Sequence, residues 1–353
     1  MTDDAGRAAA ADGSARLARL MDGYLTTQLL YVAAKLGVAD ALAAGPRSGA
    51  AIGRAVGADA DAVTRILRGL VVEGVLTEDE DGRFALTSLG AAMRAGVAGS
   101  LRGPIIVRGE MYQQAAAGLL DAVRHGGTAF EHVYGERFFE HLEHHAEHEA
   151  AFQASMAGRA ENEAADVVAA YDFGALDSIV DVGGGEGVLL EAIVRSTAQL
   201  SATLVDRPAV VGRARDRLAA VGFADRCRFV AGDFFISIPA GADAYLLSRV
   251  LHDWNDVDAG RILATCRKAM TEHSRLLIVE AILRRWASER PAAIRMDLHM
   301  MMLLGSRERT EQAFRQLLSD AGFAVRRVSM TSAPVGLAVI EAYRGPYATQ
   351  EFL

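Results

Sequence analysis

Val180-Asp181-Val182-Gly183-Gly184-Gly185-Glu186-Gly187 closes a short apolar run, and an amphipathic stretch opens at Val188. A strand that turns through glycines into a helix belongs to an open α/β sheet, whose ligands sit beyond the carboxyl ends of the strands. The glycines let the backbone approach such a ligand closely. The same alternation repeats downstream. Apolar runs at 178–182, 202–205, 228–230, 244–247 and 276–279 predict strands, and 209–221 and 259–270 predict helices between them. This pattern predicts a parallel sheet with helices on both faces. The last two runs, 324–330 and 336–343, flank Pro334 with only a few residues between them. No crossover fits there, so this pair is expected to be antiparallel.

Spacing and charge select the ligand. The dinucleotide form G-x-G-x-x-G needs a glycine where Val188 stands. Here the glycines fall at 183, 185 and 187 behind Asp181. Asp181 and Glu186 flank the loop and no Lys or Arg lies within it, so a pyrophosphate would face like charge. S-adenosylmethionine has no phosphate, and its sulfonium and ammonium are attracted by acids. The acid-x-G-x-G-x-G loop is the form associated with it. Asp206 ends the second strand, where an acid can accept from both ribose hydroxyls. Gly232-Asp233-Phe234-Phe235 ends the third, with Asp233 suited to the adenine amine and Phe234 to the ring face. Strand-end acids also cap helices. The loop, Asp206 and Asp233 at three successive strand ends favour the cofactor.

The fourth strand runs into Leu247-Ser248-Arg249-Val250-Leu251-His252-Asp253-Trp254. His252 therefore lies just past a strand end, on the ligand side. Its ordinary pKa is the nearest to neutrality of any side chain, which suits it to take a phenolic proton. Leu251-His252-Asp253-Trp254, the Gly183–Gly187 loop and Gly305-Ser306-Arg307-Glu308-Arg309-Thr310 together resemble the small-molecule O-methyltransferase family. That family includes plant caffeate and flavonoid enzymes, hydroxyindole O-methyltransferase and bacterial tailoring enzymes of aromatic natural products.

The resemblance spans nearly the whole chain and implies a class I methyltransferase fold: a Rossmann-like seven-stranded sheet preceded by a helical winged-helix dimerisation domain. It implies His252 as general base, with Glu280, at the end of the fifth strand, and Glu308 flanking it. Physically, a carboxylate on one ring nitrogen fixes the tautomer and stabilises the imidazolium. Asp253 is read as structural. Trp254 corresponds to an indole near adenine, and Ser248 and Arg249 to the adenosine pocket. Phe152 and Met156, with His299 and Leu303 on a later helix, correspond to an acceptor pocket between the N-terminal helices and the α/β domain. The Met300-Met301-Met302 run is assigned at least in part to core filling. The implied cofactor is S-adenosylmethionine, leaving S-adenosylhomocysteine, with no metal; the implied acceptor is a small hydroxylated aromatic.

The N-terminal half carries the expected winged helix. Helical spacing covers 17–42, short helices are predicted at 48–56 and 60–71, and 76–86 reads as a hairpin around Asp81-Gly82. Further helices are predicted at 105–125 and 147–170. The expected division is a disordered tail at 1–14, a dimerisation region at 15–103, a helical linker with acceptor-pocket helices at 104–172, a cofactor-binding catalytic domain at 173–345 and a tail at 346–353. DNA binding is disfavoured, because the wing is Glu78-Asp79-Glu80-Asp81 and the net charge is −8. Homodimerisation through this region is the preferred role. The chain is 51% hydrophobic and 23% charged, which permits a sizeable core. Cys227 and Cys266 form no metal-like pattern, and no leader or membrane span is legible, so a cytoplasmic protein is expected. His141, His144, His145 and His148 sit at helical spacing among glutamates and are read as one solvated polar face rather than a metal site.

Overall fold

The computed structural model describes residues 13–97 and 99–345. The tails expected at 1–14 and 346–353 lie outside these, except that residues 13 and 14 begin a helical stretch. The described residues form two compact units. One comprises those up to Gln114 with His145–Gly158, the other Ala115–His144 with Arg159 onward. The stretch expected as a linker at 104–172 is thus divided between the two units.

In the first unit, α1 (Gly23–Leu36) precedes α2 (Gly49–Val56) and α3 (Ala60–Val72). The Ser48 side chain accepts from Ala51 N at 3.3 Å and Asp59 from Ala62 N at 2.8 Å, which starts α2 and α3. Each such cap is worth about 1 kcal/mol. Val63, Leu67 and Leu70, at helical spacing, bury with Ile52, Ala33 and Phe84. β1 (Arg47–Ser48) pairs with β3 (Arg83–Leu86), which pairs with β2 (Leu76–Glu78). The predicted hairpin is present, closed by Asp79, whose Oδ1 accepts from Asp81 N and Arg83 N at 3.1 and 2.8 Å.

The single helix expected at 105–125 is broken. Residues Arg102–Val107 are α-helical, Arg108–Tyr112 widen into a π turn, and a new helix runs from Leu119 to His125. The widened turn packs against α1. Gly109 lies against Tyr31, where a Cβ would come within 2.2 Å of the tyrosine Cβ, and its carbonyl accepts from Gln28 Nε2 at 2.9 Å.

The second unit takes in α4 (Ala146–Ala170) from Arg159 onward and contains the large sheet. Its strands are β4 (Ser178–Val182), β5 (Ser201–Asp206), β6 (Cys227–Ala231), β7 (Ala244–Ser248), β8 (Arg275–Leu283), the two-residue β9 (Arg309–Thr310), β10 (Phe323–Met330) and β11 (Leu337–Arg344). The order is β10-β11-β8-β7-β4-β5-β6, with β9 on β8. β4 to β8 run parallel, and β11 is antiparallel to both β8 and β10, as the short turn at Pro334 required. The order reverses at β4, which puts the glycine loop at the switch point. Helices α5 (Val188–Ser196), α6 (Pro208–Ala220), α7 (Asp256–Ala269), α8 (Pro291–Leu304) and α9 (Glu311–Asp320) complete the fold.

Both faces of the sheet are covered. Ile179, Leu204, Leu246 and Leu277 enter one core, and their neighbours Val180, Val205, Leu247 and Ile278 enter the other. Burial of each such side chain contributes about 1.5–3 kcal/mol. One boundary differs from expectation in a way that matters. β8 is nine residues long, because β11 holds it beyond its parallel partner, pairing Leu337 with Ala281. Glu280 is therefore inside a central strand, fully buried, not at the strand end.

Candidate active site

The glycine loop is shaped by what lies beneath it. Asp181, on β4, is 2% exposed, and a Cβ at Gly184 would come within 2.6 Å of its Oδ2. Gly185 has φ 57° and open space where a side chain would be, so the loop exposes bare backbone. Asp206 ties the loop to β5: its Oδ2 accepts from Gly185 N at 2.9 Å and its Oδ1 from Arg207 N at 2.7 Å. Gly232 N donates to Asp206 O at 3.0 Å, which brings the β6 end alongside. Asp233 Oδ1 accepts from Phe235 N at 2.8 Å. The Phe234 ring lies over Gly183, Trp254 meets Phe234 and Phe235 edge-on, and Phe139 stacks on Trp254 with ring centroids 6.1 Å apart.

This end of the sheet fits a cationic, phosphate-free ligand. Burial, and then the charge of Asp206, push the Asp181 carboxyl up to about 7. Its Oδ1 is buried without a hydrogen-bond partner. A buried acid in that state is relieved by a positive or donating group and penalised by an anion.

His252 stands in a short 3₁₀ turn, Leu251–Asp253, just after β7. Arg309, 2% exposed, holds the turn. Its Nη1 donates to Leu251 O at 2.7 Å, its Nη2 to Trp254 O at 2.8 Å, and its Nε and Nη2 to Asp256 Oδ1. The imidazole itself is 1% exposed. Nδ1 donates to Glu308 Oε1 at 2.8 Å and lies 3.7 Å from Glu280 Oε2, while Glu280 Oε1 accepts from the His252 backbone N at 3.2 Å. Nε2 lies 3.3 Å from Asp253 Oδ1. Glu308 is oriented from behind, since its N donates to Asp297 Oδ1 on α8 at 2.9 Å.

Burial alone would push this imidazole down. The charges of Glu280 and Glu308, then Asp253, outweigh it and raise His252 to about 9. Glu308 is held below the ordinary carboxylate range despite burial, because His252 lies on it; Glu280, without such a close bond, is pushed up by burial. An ion pair of His252 and Glu308 is the resulting ground state.

Two stretches of the chain match known domain models. Residues 117–324 match the O-methyltransferase domain and residues 18–95 the O-methyltransferase dimerisation domain. The chain belongs to the O-methyltransferase family. It is 42% identical to phenazine O-methyltransferase PhzM of Lysobacter antibioticus, over 95% of this chain and 98% of that one. The solved structure of LaPhzM superimposes with a TM-score of 0.90 at 41% identity, covering 94% and 99% of the two chains. The O-methyltransferase NcsB1 from neocarzinostatin biosynthesis, solved with S-adenosylmethionine and 2-hydroxy-5-methyl naphthoic acid, gives 0.77 at 34%, covering 90% and 96%. Phenazine-1-carboxylate N-methyltransferase of Pseudomonas aeruginosa is 32% identical over 88% of this chain and 92% of its own.

Within this O-methyltransferase, the second unit brings together His252, Glu280 and Glu308, and at the neighbouring strand ends Asp181, Gly183, Gly185, Asp206, Gly232, Asp233, Phe234, Ser248 and Trp254. The Arg249 side chain pairs with acids: its Nη2 donates to Glu163 Oε1 at 2.7 Å, and its Nη1 is 3.9 Å from Glu308 Oε1. His299 and Leu303 are on α8 in the same unit, with Leu303 2% exposed. Phe152 and Met156 belong to the other unit. Met300 and Met302 are buried and Met301 is partly exposed, as core filling required.

The histidine-rich stretch is not one solvated face. Residue 145 interrupts the helix. His141 is 3% exposed, with Nδ1 2.8 Å from Glu136 Oε1 and its ring edge-on to Phe130. Sequence reasoning also missed Arg309, Glu163 and Asp297. Arg309 lay inside a quoted motif, but its polar neighbours Glu308 and Thr310 gave no signal that it is buried. Glu163 and Asp297 sit on helices whose patterns do not distinguish them from surface acids.

Proposed function

We propose that this enzyme, an S-adenosylmethionine-dependent O-methyltransferase, methylates a hydroxyl of a small aromatic acceptor, with His252 as general base. The observation that supports the base assignment is the buried imidazole whose Nδ1 is committed to Glu308, which leaves Nε2, 3.3 Å from Asp253 Oδ1, to take a proton when the imidazole is neutral. The raised basicity matters energetically. A histidine at its ordinary pKa would take a proton from a phenol, pKa near 10, at a cost of roughly 5 kcal/mol. At about 9 the transfer itself costs roughly 1.4 kcal/mol, to which drawing on the neutral imidazole at pH 7 adds roughly 2.7 kcal/mol. Glu308 keeps the proton-bearing nitrogen turned away from the acceptor, and burial excludes water from the exchange.

When bound, the cofactor supplies an electrophilic methyl group on a sulfonium. Asp181, the Gly183–Gly187 backbone, Asp206, Asp233, Phe234, Ser248 and Trp254 are the residues proposed to hold it. The acceptor class follows relatives that act on phenazine and naphthoate rings; His299 and Leu303, with Phe152 and Met156, are proposed to line its site. Homodimerisation through residues 18–95 is part of the same proposal. Among the described residues no helix is long and apolar enough to cross a membrane, which accords with work in the cytoplasm.

The test has two stages. S-adenosylhomocysteine at about 100 times its dissociation constant adds roughly 2.7 kcal/mol to native stability, so it should raise the melting temperature while NAD⁺ does not. A panel of hydroxylated aromatic acids then identifies the acceptor, with NMR locating the new methyl group. His252→Ala should lower turnover by about 10²–10⁴-fold and leave S-adenosylhomocysteine binding intact; full turnover in that variant would sink the base assignment. A methyl group found on nitrogen would replace O-methylation by the chemistry named for the Pseudomonas relative.

A further inference from the structure

We propose that Arg249 is the positioning residue of the His252 centre: its guanidinium, anchored by Glu163, stands against the Glu308 carboxylate and limits how strongly that carboxylate holds the proton of His252. The role deepens the base assignment made above. Arg249 follows β7 with φ 55°, the only non-glycine residue in the left-handed region among the described residues. A side chain with a Cβ pays steric strain there, and the strain is held by a specific contact, Arg249 N to Val279 O at 3.0 Å. The result is a guanidinium turned inward, with the side chain 9% exposed.

Its donors are not used alike. Nη2 and Nε make a fork on the two carboxylate oxygens of Glu163, at 2.7 and 3.4 Å. Nη1 faces Glu308 Oε1 at 3.9 Å, too far for a hydrogen bond, and is buried without a hydrogen-bond partner. Glu308 Oε2 is buried in the same condition. A buried cation thus stands against the carboxylate that His252 uses, close enough to act through charge and kept from capturing it by Glu163. If Glu308 turned to bond Arg249, it would leave Nδ1. The spacing lets one carboxylate serve the imidazole while the arginine offsets part of its charge.

Other charges surround the centre. Glu280 reaches it from β8, Asp253 from its own turn, and Asp297 from α8 through Glu308 N. Arg159 lies on α4 with Glu163 and acts on Asp253 and Glu308 through charge. Arg249 is the cation whose loss leaves Glu308 least balanced, so His252 should hold its proton more tightly without it.

The test reads the imidazole directly and needs no acceptor. Full-length protein with ¹⁵N-labelled histidine is titrated by NMR, with His252 assigned by its loss in His252→Gln. Arg249→Met should move the His252 midpoint up by ~1 unit or more, and Arg249→Lys, which keeps the charge, should restore it. Glu163→Gln frees the guanidinium to approach Glu308 and should move the midpoint down. Arg249→Met that melts cooperatively, binds S-adenosylhomocysteine and titrates as wild type overturns the proposal. If Arg249→Met does not fold, an unmoved midpoint in Glu163→Gln overturns it. A failed base assignment shows up separately, as full turnover in His252→Ala.

Discussion

Glu308→Gln is the sharpest perturbation of the catalytic centre, because it removes one charge and one bond from a base whose pKa stands at about 9. At that value only ~1% of His252 is neutral at pH 7. Turnover that depends on the neutral base should therefore rise about tenfold between pH 7 and pH 8 and level off near 9. Removing the carboxylate at 2.8 Å should lower the inflection by ~1–3 units, the usual effect of a close opposite charge. The plateau should fall at the same time, by about 10²-fold or more, since the tautomer is no longer fixed and the imidazolium no longer stabilised. The assay is kcat/KM across pH 6–10 for both proteins with one acceptor. The acceptor's own ionisation also produces a rise with pH, but a substitution in the enzyme cannot move that rise. A wild-type profile flat between pH 6 and pH 8, or an inflection unmoved by Glu308→Gln, refutes the reasoning.

Three further outcomes are expected. Asp181 is protonated in the folded protein up to about pH 7 but ionises near 3.8 when unfolded. Native stability should therefore fall as pH rises from about 4 to 7, by at most roughly 4 kcal/mol. Asp181→Asn should remove that slope in thermal melts while weakening S-adenosylhomocysteine binding, and an unchanged slope would show the carboxyl is not the cause. Arg309→Met strips hydrogen bonds from Leu251 O, Trp254 O and Asp256. It should cost about 2–5 kcal/mol in denaturant melts, and a loss within error would mean the turn is held by other contacts. Gly184→Ala forces a Cβ to within 2.6 Å of Asp181 Oδ2. The loop must shift, so calorimetry should show S-adenosylhomocysteine binding weakened, on the order of tenfold or more; wild-type affinity would count against the loop as its site.

The sequence by itself determined the parts of this protein whose causes are local. Glycines between β4 and α5, caps at Ser48 and Asp59, and the too-short link at Pro334 each act over a few residues, so the α/β sheet, the hairpin and the antiparallel end were legible. Residue roles in the catalytic centre were legible only through resemblance. Nothing in the spacing of His252, Glu280 and Glu308 states that they meet, since 28 and 56 residues separate the histidine from its two acids. Tertiary structure decided that meeting, and with it the charge state. β11 extends β8 so that Glu280 is sealed inside the sheet, α4 brings Glu163 to Arg249, and Tyr31 packs on Gly109 where the helix expected at 105–125 widens. The physical reason is the same in each case. Backbone conformation answers to near neighbours, but the pKa of a buried group answers to whichever charges the fold places within a few ångströms in a medium that screens them poorly.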